Sequence, residues 1–188
     1  MPAFNESQLE KAFVELFKKE GYDYVYGESI LRDTRDVILY DDLRFYLRKK
    51  YEVDHITEDE INRAIARLET SDGGSVYAEN VEALRLLQEG FSLKRTNPKL
   101  PNLHIYPIDY TESGKNNLFK FVNQFAIDGE HHRIPDGIVF VNGLPLVVLE
   151  FKNAIKQNTT IENAFKQLTV RYRRDIPKLF RYNAFVVI

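Results

Sequence analysis

Apolar residues recur every three or four positions in several stretches of the first half of the chain, the spacing typical of amphipathic helices. This period predicts helices over residues 6–20, 36–50, 57–68 and 79–88. Thr57 followed by Glu60 forms a capping-box signature at the start of the third helix. The three later helices contain no motif with an assignable chemistry, so they are expected to support the fold or to present a docking face.

The second half of the chain changes to alternating and continuous apolar runs, which favour strands. Strands are predicted at 116–126, 132–141, 145–152 and 184–188, with one further helix at 160–174. The pattern is therefore that of an α/β protein, and 188 residues make one domain, 1–188, the default. The last run, AFVVI, resembles a buried strand. We expect a chain that ends there to be the leading fragment of a longer protein.

Two carboxylates and an amine lie at one end of the hairpin formed by 132–141 and 145–152. Asp136 opens the first apolar run, while Glu150 and Lys152 close the second and share a face because strand side chains alternate. Two carboxylates and the Phe151 carbonyl suit Mg²⁺, and Lys152 would contact a scissile phosphate or orient the attacking water. The alternative is an ordinary hairpin with a surface salt bridge between Glu150 and Lys152.

The position of Asp136 depends on the turn at Asn142-Gly143. A two-residue loop sets Asp136 opposite Leu149 and turns Glu150 away. A three-residue loop over 141–143 places Asp136 on the face of Glu150, with glycine in the left-handed region. We expect the three-residue loop, and a two-residue turn without another bulge would remove the shared face.

The chain resembles the N-terminal nuclease domain of the R subunit of type I restriction-modification enzymes. The similarity is carried by FNESQLEKAFVELFKKEGYDYV, by FVNQFAIDGEHHRIPDGIVFVNGLPLVVLEFKN and by ENAFKQLTVRYRRDIPKLFRYNAFVVI, and VNGLPLVVLEFKN is the most specific phrase. The resemblance implies a restriction-endonuclease-like core of the PD-(D/E)xK class. In such a core, helices flank a central mixed β-sheet. Here extra helices, about 36–90, would be inserted between the first helix and the catalytic hairpin.

The same resemblance assigns roles to individual residues. Asp136, Glu150 and Lys152 match the catalytic acids and lysine of a Mg²⁺-dependent nuclease that cuts double-stranded DNA. Glu10 matches the glutamate that the class often adds from its first helix, and its alternative role is that of a solvated helix acid. The implied metal ligands are Asp136, Glu150 and Phe151.

The family also has a glutamine and a tyrosine separated by three residues, here Gln167 and Tyr172 with four between them. On a regular helix the extra residue rotates Tyr172 by about 100° from the expected face. Arg171 has the family spacing instead. The tyrosine role therefore stays open between Tyr172 and Arg171 unless the helix contains a local bulge.

The charge distribution is compatible with a DNA ligand although the net charge is −2. Residues 152–181 carry +6, which leaves −8 on the remainder of the chain. This basic tract includes Arg171 and Arg174, which we expect to bind DNA with Gln167 and Tyr172. The alternative is a solvated helix face.

Several functional classes are disfavoured by composition. The chain has no cysteine, no basic and apolar leader and no apolar run near the roughly 20 residues of a membrane helix. We expect a cytoplasmic protein without membrane contact. A GxxxxGK[ST] loop is absent, so ATP would be used only by a motor in the full-length protein.

By the resemblance, that motor drives translocation before cleavage, and the methylation and specificity subunits are partners. A fragment without the motor is expected to cut DNA poorly or not at all. The alternative function is a non-catalytic nuclease-fold domain that docks DNA or partner subunits.

Overall fold

The computed structural model describes residues 6–71, 73–111, 114–151 and 161–188. Within these ranges the helices are α1 Glu6–Lys19, α2 Tyr40–Lys50, α3 Glu58–Glu69, α4 Val76–Glu89, α5 Ile161–Lys166, α6 Arg173–Asp175 and α7 Pro177–Tyr182, with a 3₁₀ turn at Gly27–Ser29 and a π-helical segment at Gln167–Tyr172. The strands are β1 Asp23–Tyr26, β2 Phe91–Leu93, β3 Leu103–Ile105, β4 Phe119–Asn123, β5 Ile127–Asp128, β6 His132–Arg133, β7 Gly137–Val141, β8 Leu144–Leu149 and β9 Phe185–Val187.

A mixed sheet with strand order β1-β4-β7-β8-β9 forms the centre of the described structure. β4, β7 and β8 are antiparallel neighbours, while β1 and β9 pair in parallel at the two edges. Two small hairpins, β2–β3 and β5–β6, lie outside this sheet. The predicted α/β architecture with a central mixed sheet and flanking helices is confirmed.

Helices cover both faces of the sheet, and each face has its own apolar core. On one face α1 packs through Phe13 and Phe17 against Phe121 and Phe151, in a cluster that also holds Val139 and Leu149. On the other face α2, α3, α4 and α7 form the larger cluster, which contains Ile138, Phe140 and Val148 from the sheet. Towards the end of the β7–β8 pair, Ile138 and Val148 therefore face the larger core, while Val139, Val147 and Leu149 face the α1 side.

The turn between β7 and β8 differs from the prediction. Val141 pairs with Leu144, so the loop has two residues, Asn142 and Gly143, and both have positive φ (53° and 81°). A β-bulge follows, since Val139 pairs with Val147 but Phe140 pairs with Pro145, which leaves Leu146 as the extra residue. The three-residue loop was wrong because Asn-Gly suits a tight turn. Pro145, which has no N–H to donate to the ladder, directly precedes Leu146 at the bulge.

Buried polar contacts hold this turn in place. Asn142 is fully buried, its Oδ1 accepts from the Leu118 N–H at 2.8 Å, and its Nδ2 donates to the Pro107 carbonyl at 2.9 Å. The Gly143 carbonyl accepts from the Leu39 N–H at 2.9 Å, just before α2. The turn is therefore an internal anchor for the β7–β8 hairpin rather than a surface loop.

Other predicted elements hold with changed limits. The capping box of α3 is present, with Thr57 and Glu60 each accepting from the other's backbone N–H. The second helix begins at Tyr40 rather than at 36, and 132–133 pairs with β5 instead of extending β7. β9 is exposed at all three residues, so the expectation of a buried last strand was wrong. The reason is that β9 pairs only with β8 and forms an edge of the sheet.

The helices that the structure describes include none with the length and apolar character of a membrane span.

Candidate functional site

The bulge brings Asp136 and Glu150 together at the end of the β7–β8 pair. Gly137 pairs with Leu149, so Asp136 and Glu150 are the next residues of the ladder and lie opposite each other. By parity they share the face of Ile138 and Val148, the side of the larger core. The shared face that the sequence predicted is thus present, although a bulge after the turn produces it rather than a longer loop.

The Asp136 carboxylate is held by the backbone beside Glu150. Its Oδ2 accepts from the Phe151 N–H at 2.6 Å, and its own carbonyl accepts from the Gln124 N–H at 3.4 Å. The Phe151 ring is buried against Phe13, with ring centroids 4.8 Å apart. The buried Phe151 therefore fixes the position of the backbone next to Asp136 and Glu150. Its role as a carbonyl ligand for a metal stays a prediction.

Glu150 is 2% exposed, and two side chains of the following helix donate to it. Gln167 Nε2 donates to Oε1 at 2.5 Å, and the Tyr172 hydroxyl donates to Oε2 at 3.1 Å. Gln167 Nε2 also donates to the Tyr172 hydroxyl at 2.9 Å. These charge-assisted hydrogen bonds compensate for burying the carboxylate.

The π-helical segment explains why Tyr172, and not Arg171, accompanies Gln167. In Gln167–Tyr172 the helix widens, so a residue five positions on occupies the face that a regular helix gives to the fourth. Tyr172 is buried, whereas Arg171 is exposed. Tyr172 therefore contacts Glu150 through its hydroxyl group, and which of the two residues takes the family tyrosine role stays a prediction.

The pKa of the buried Tyr172 phenol depends on its burial and on both acids. Burial raises the pKa of Tyr172, and the negative charges of Glu150 and Asp136 raise it further, against the hydrogen bond from Gln167. The phenol is therefore held in its neutral, proton-donating form at neutral pH.

Glu10 lies near this site but on the α1 side of the sheet. Its Oε1 accepts from Asn123 Nδ2 at 2.7 Å and from Gln124 Nε2 at 3.1 Å. Asn123 pairs with Gly137, so Glu10 is linked to the acid pair through β4. Among the described residues no group of three His, Cys, Asp or Glu side chains suits a metal ion. The structure thus does not bring Glu10 to the two acids as a third ligand.

Lys152, the remaining member of the predicted triad, lies outside the described residues. The described donors are compatible with Mg²⁺, which accepts two carboxylates and keeps several waters. A divalent ion between Asp136 and Glu150 would therefore be completed by water and backbone oxygen. This donor set consists of hard oxygen atoms, as that ion requires.

A groove of about 430 Å³ opens beside the acid pair, and we call it the basic groove. Its polar lining consists of His132, Arg133, Gln167, Arg171, Tyr172 and Arg174. The structure thus brings all four predicted DNA-binding residues to one groove. Sequence reasoning missed Arg133 and Asp175, which lie 42 positions apart.

The central mixed sheet with helices on both faces and two acids at the end of a strand pair defines the class: a restriction-endonuclease-like α/β domain. Residues 3–188 match the family model for the type I restriction enzyme R protein N terminus, and the chain belongs to this family.

The curated relatives are named as endonuclease subunits of type I restriction enzymes. The chain is 29% identical to the type I restriction enzyme HindI endonuclease subunit of Haemophilus influenzae, over 98% of this chain and 18% of that protein. It is 27% identical to the putative MjaIXP endonuclease subunit of Methanocaldococcus jannaschii, over 96% and 18%. It is 36% identical to the putative MjaVIIIP endonuclease subunit of the same organism, over 43% and 8%. The chain therefore spans less than a fifth of these relatives.

Proposed function

We propose that this chain is the nuclease domain of a type I restriction enzyme R subunit and hydrolyses phosphodiester bonds of double-stranded DNA with Mg²⁺. The observation that carries the proposal is the Gly137–Leu149 pair at the end of β7 and β8, which places Asp136 opposite Glu150 one position further on. Each carboxylate is separately fixed, Asp136 by the Phe151 N–H and Glu150 by Gln167 and Tyr172. The family relationship supports the same assignment.

The chemistry follows from these positions. A Mg²⁺ ion held here would supply an activated water and neutralise charge that develops on the phosphate. Asp136 and Glu150 would hold the ion, while Tyr172 and Gln167 keep the Glu150 carboxylate oriented. Lys152 would contact the scissile phosphate or orient the attacking water. In an intact enzyme, a downstream ATP-dependent motor would deliver the DNA, with methylation and specificity subunits as partners in the cytoplasm.

The metal site is tested by titrating Mn²⁺ or Mg²⁺ into the chain in a calorimeter. Removing one of two carboxylate ligands should weaken binding more than losing an outer-shell partner does, so Asp136→Ala should lower affinity at least about tenfold. Asp41→Ala is the matched control, since Asp41 is exposed on α2 far along the chain from the acid pair. Equal binding by Asp136→Ala and the parent would refute the metal site and leave a nuclease-fold docking domain.

A further inference from the structure

The basic groove has two walls that come from distant parts of the chain. One wall is the end of the π-helical segment with α6, which supplies Arg171 and Arg174. The other is the β5–β6 hairpin, which supplies His132 and Arg133. None of the described residues that line the groove is acidic. A groove with cations on both sides suits an anion that passes between them.

One buried carboxylate joins the two walls. Asp175 is fully buried; its Oδ1 accepts from Arg174 Nε at 2.6 Å and its Oδ2 from Arg133 Nε at 2.7 Å. The Asp175 carbonyl also accepts from the Glu130 N–H, in the hairpin loop, at 2.8 Å. Gly129 approaches so closely that a Cβ there would lie 2.0 Å from the same carbonyl oxygen. The hairpin is thus fitted to α6, and the groove is a built feature.

The arginines keep donors for a ligand. Arg174 binds Asp175 through Nε, and its side chain is 58% exposed. Arg171 is exposed at the opening of the groove. Three guanidinium groups against the Asp175 and Glu130 carboxylates leave an excess of one positive charge, and Asp128 is paired with His132 on the hairpin wall. Guanidinium groups bind phosphate oxygens in pairs, so a nucleic-acid backbone phosphate matches this lining.

The groove also adjoins the acid pair directly. Gln167 and Tyr172 line it, and the same two side chains donate to Glu150. A phosphate in the groove would therefore be separated from Glu150 by one phenol ring and one amide.

We propose that the basic groove binds a backbone phosphate next to the one that is cut, with Arg171 and Arg174 as contacting residues, Arg133 and His132 on the opposite wall, and Asp175 as the positioning residue. The proposal rests on the proposed function for its DNA ligand. It extends that function by adding the β5–β6 hairpin as a second wall and by assigning the buried carboxylate that joins the walls.

The test is equilibrium binding of a fluorescent DNA duplex in EDTA, across salt from about 50 to about 200 mM. Each lost phosphate contact should lower the slope of log affinity against log salt by about 1, so Arg171→Ala and Arg174→Ala should each do so. Arg173→Ala is the matched control. Arg173 has the same charge, is exposed and directly precedes Arg174, but it does not line the groove. It should leave the slope unchanged.

The role of Asp175 has its own readout. Asp175→Asn should reduce the slope in the parent, yet add no further reduction when Arg133 and Arg174 are already alanine, because it acts through them. If Asp175→Asn does not fold, the arginine variants still decide the question. An equal loss in Arg173→Ala, no loss in the groove variants, or no duplex binding by the parent would overturn the proposal.

These outcomes are separate from those of the metal test. EDTA removes the ion, so Asp136→Ala should bind the duplex with the parent's slope. Normal metal binding by Asp136→Ala together with a reduced slope in Arg174→Ala would refute the nuclease assignment and keep the groove. Weakened metal binding by Asp136→Ala together with an unchanged slope in Arg174→Ala would refute the groove alone.

Discussion

Replacing Tyr172 by phenylalanine removes a single hydroxyl group from the network behind the acid pair. Tyr172 is 4% exposed and Glu150 is 2% exposed, so water cannot readily replace the lost donor. The hydroxyl donates to Glu150 Oε2 at 3.1 Å and accepts from Gln167 at 2.9 Å. The aromatic ring remains, so packing against the larger core is unchanged.

The expected magnitude follows from these contacts. A hydrogen bond to a charged group contributes about 1.5–3 kcal/mol, more than a neutral one. Glu150 keeps the Gln167 donor at 2.5 Å, which prevents complete loss of its compensation. We therefore expect Tyr172→Phe to lower the free energy of unfolding by about 1.5–3 kcal/mol at neutral pH. In a chain of this size each kcal/mol lowers the Tm by about 2–4 °C.

The assay is urea unfolding, in which the midpoint should fall while the m value stays constant. Tyr77→Phe is the matched control, because Tyr77 is 68% exposed on α4. The control should change the unfolding free energy by less than about 0.5 kcal/mol. If Tyr172→Phe is as mild as the control, the phenol does not stabilise Glu150, and the view of this network as a support for the acid pair is refuted.

Two further predictions concern the hairpin turn and the carboxylate between the groove walls. Gly143→Ala and Gly114→Ala both place alanine at positive φ, at a cost of about 1–2 kcal/mol each, but only at Gly143 would the new Cβ meet backbone, at 2.3 Å. Gly143→Ala should therefore cost about 1–3 kcal/mol more in denaturant unfolding, and equal losses would contradict the buried turn. For Asp175, hydrogen bonds from Arg174 and Arg133, opposed by burial, lower the pKa to about 2. A depressed pKa means that its stabilisation is complete above the ordinary value of about 3.9 and is lost as pH falls towards 2. The parent should thus lose more stability than Asp175→Asn between about pH 4 and pH 2, as followed by urea midpoints, and parallel curves would contradict this.

The parts of the fold that the sequence predicted are those governed by local chemistry. Thr57 and Glu60 specify a helix start because each side chain satisfies a backbone N–H within one turn. Asn142 and Gly143 mark a hairpin because both tolerate positive φ. The acid pair could be located because two apolar runs converge on it.

The parts that failed depend on contacts beyond a short window. Residues 36–39 share the apolar period of α2, yet the chain there runs to the hairpin turn, where the Leu39 N–H donates to Gly143. β9 has the composition of a core strand but lies at the sheet edge, with Phe185 69% exposed. The Arg133–Asp175 pair joins a hairpin and a helix that come close together only in the folded structure. Composition and period carry no information about such partners.

The candidate site depends on two single-residue irregularities, one in a strand and one in a helix. Without the bulge at Leu146, the two-residue turn would set Asp136 opposite Leu149 and send Glu150 to the other face. Without the π-helical segment, Tyr172 would be rotated by about 100° away from Glu150. Each irregularity disturbs a regular hydrogen-bond pattern. The bulge places Asp136 opposite Glu150, and the π-helical segment brings the Tyr172 hydroxyl to the same Glu150 carboxylate. The sequence does not specify where the extra residue of the hairpin lies, since a three-residue turn and a bulge in the strand both bring Asp136 to the face of Glu150. The bulge has a use of its own here: the Leu146 carbonyl accepts from the Ala184 N–H at 2.8 Å, which ties the shifted strand to the segment before β9. The register that unites the acids is therefore fixed by tertiary contacts on both sides of β8, from the anchored turn at Gly143 and from the chain that returns at Ala184.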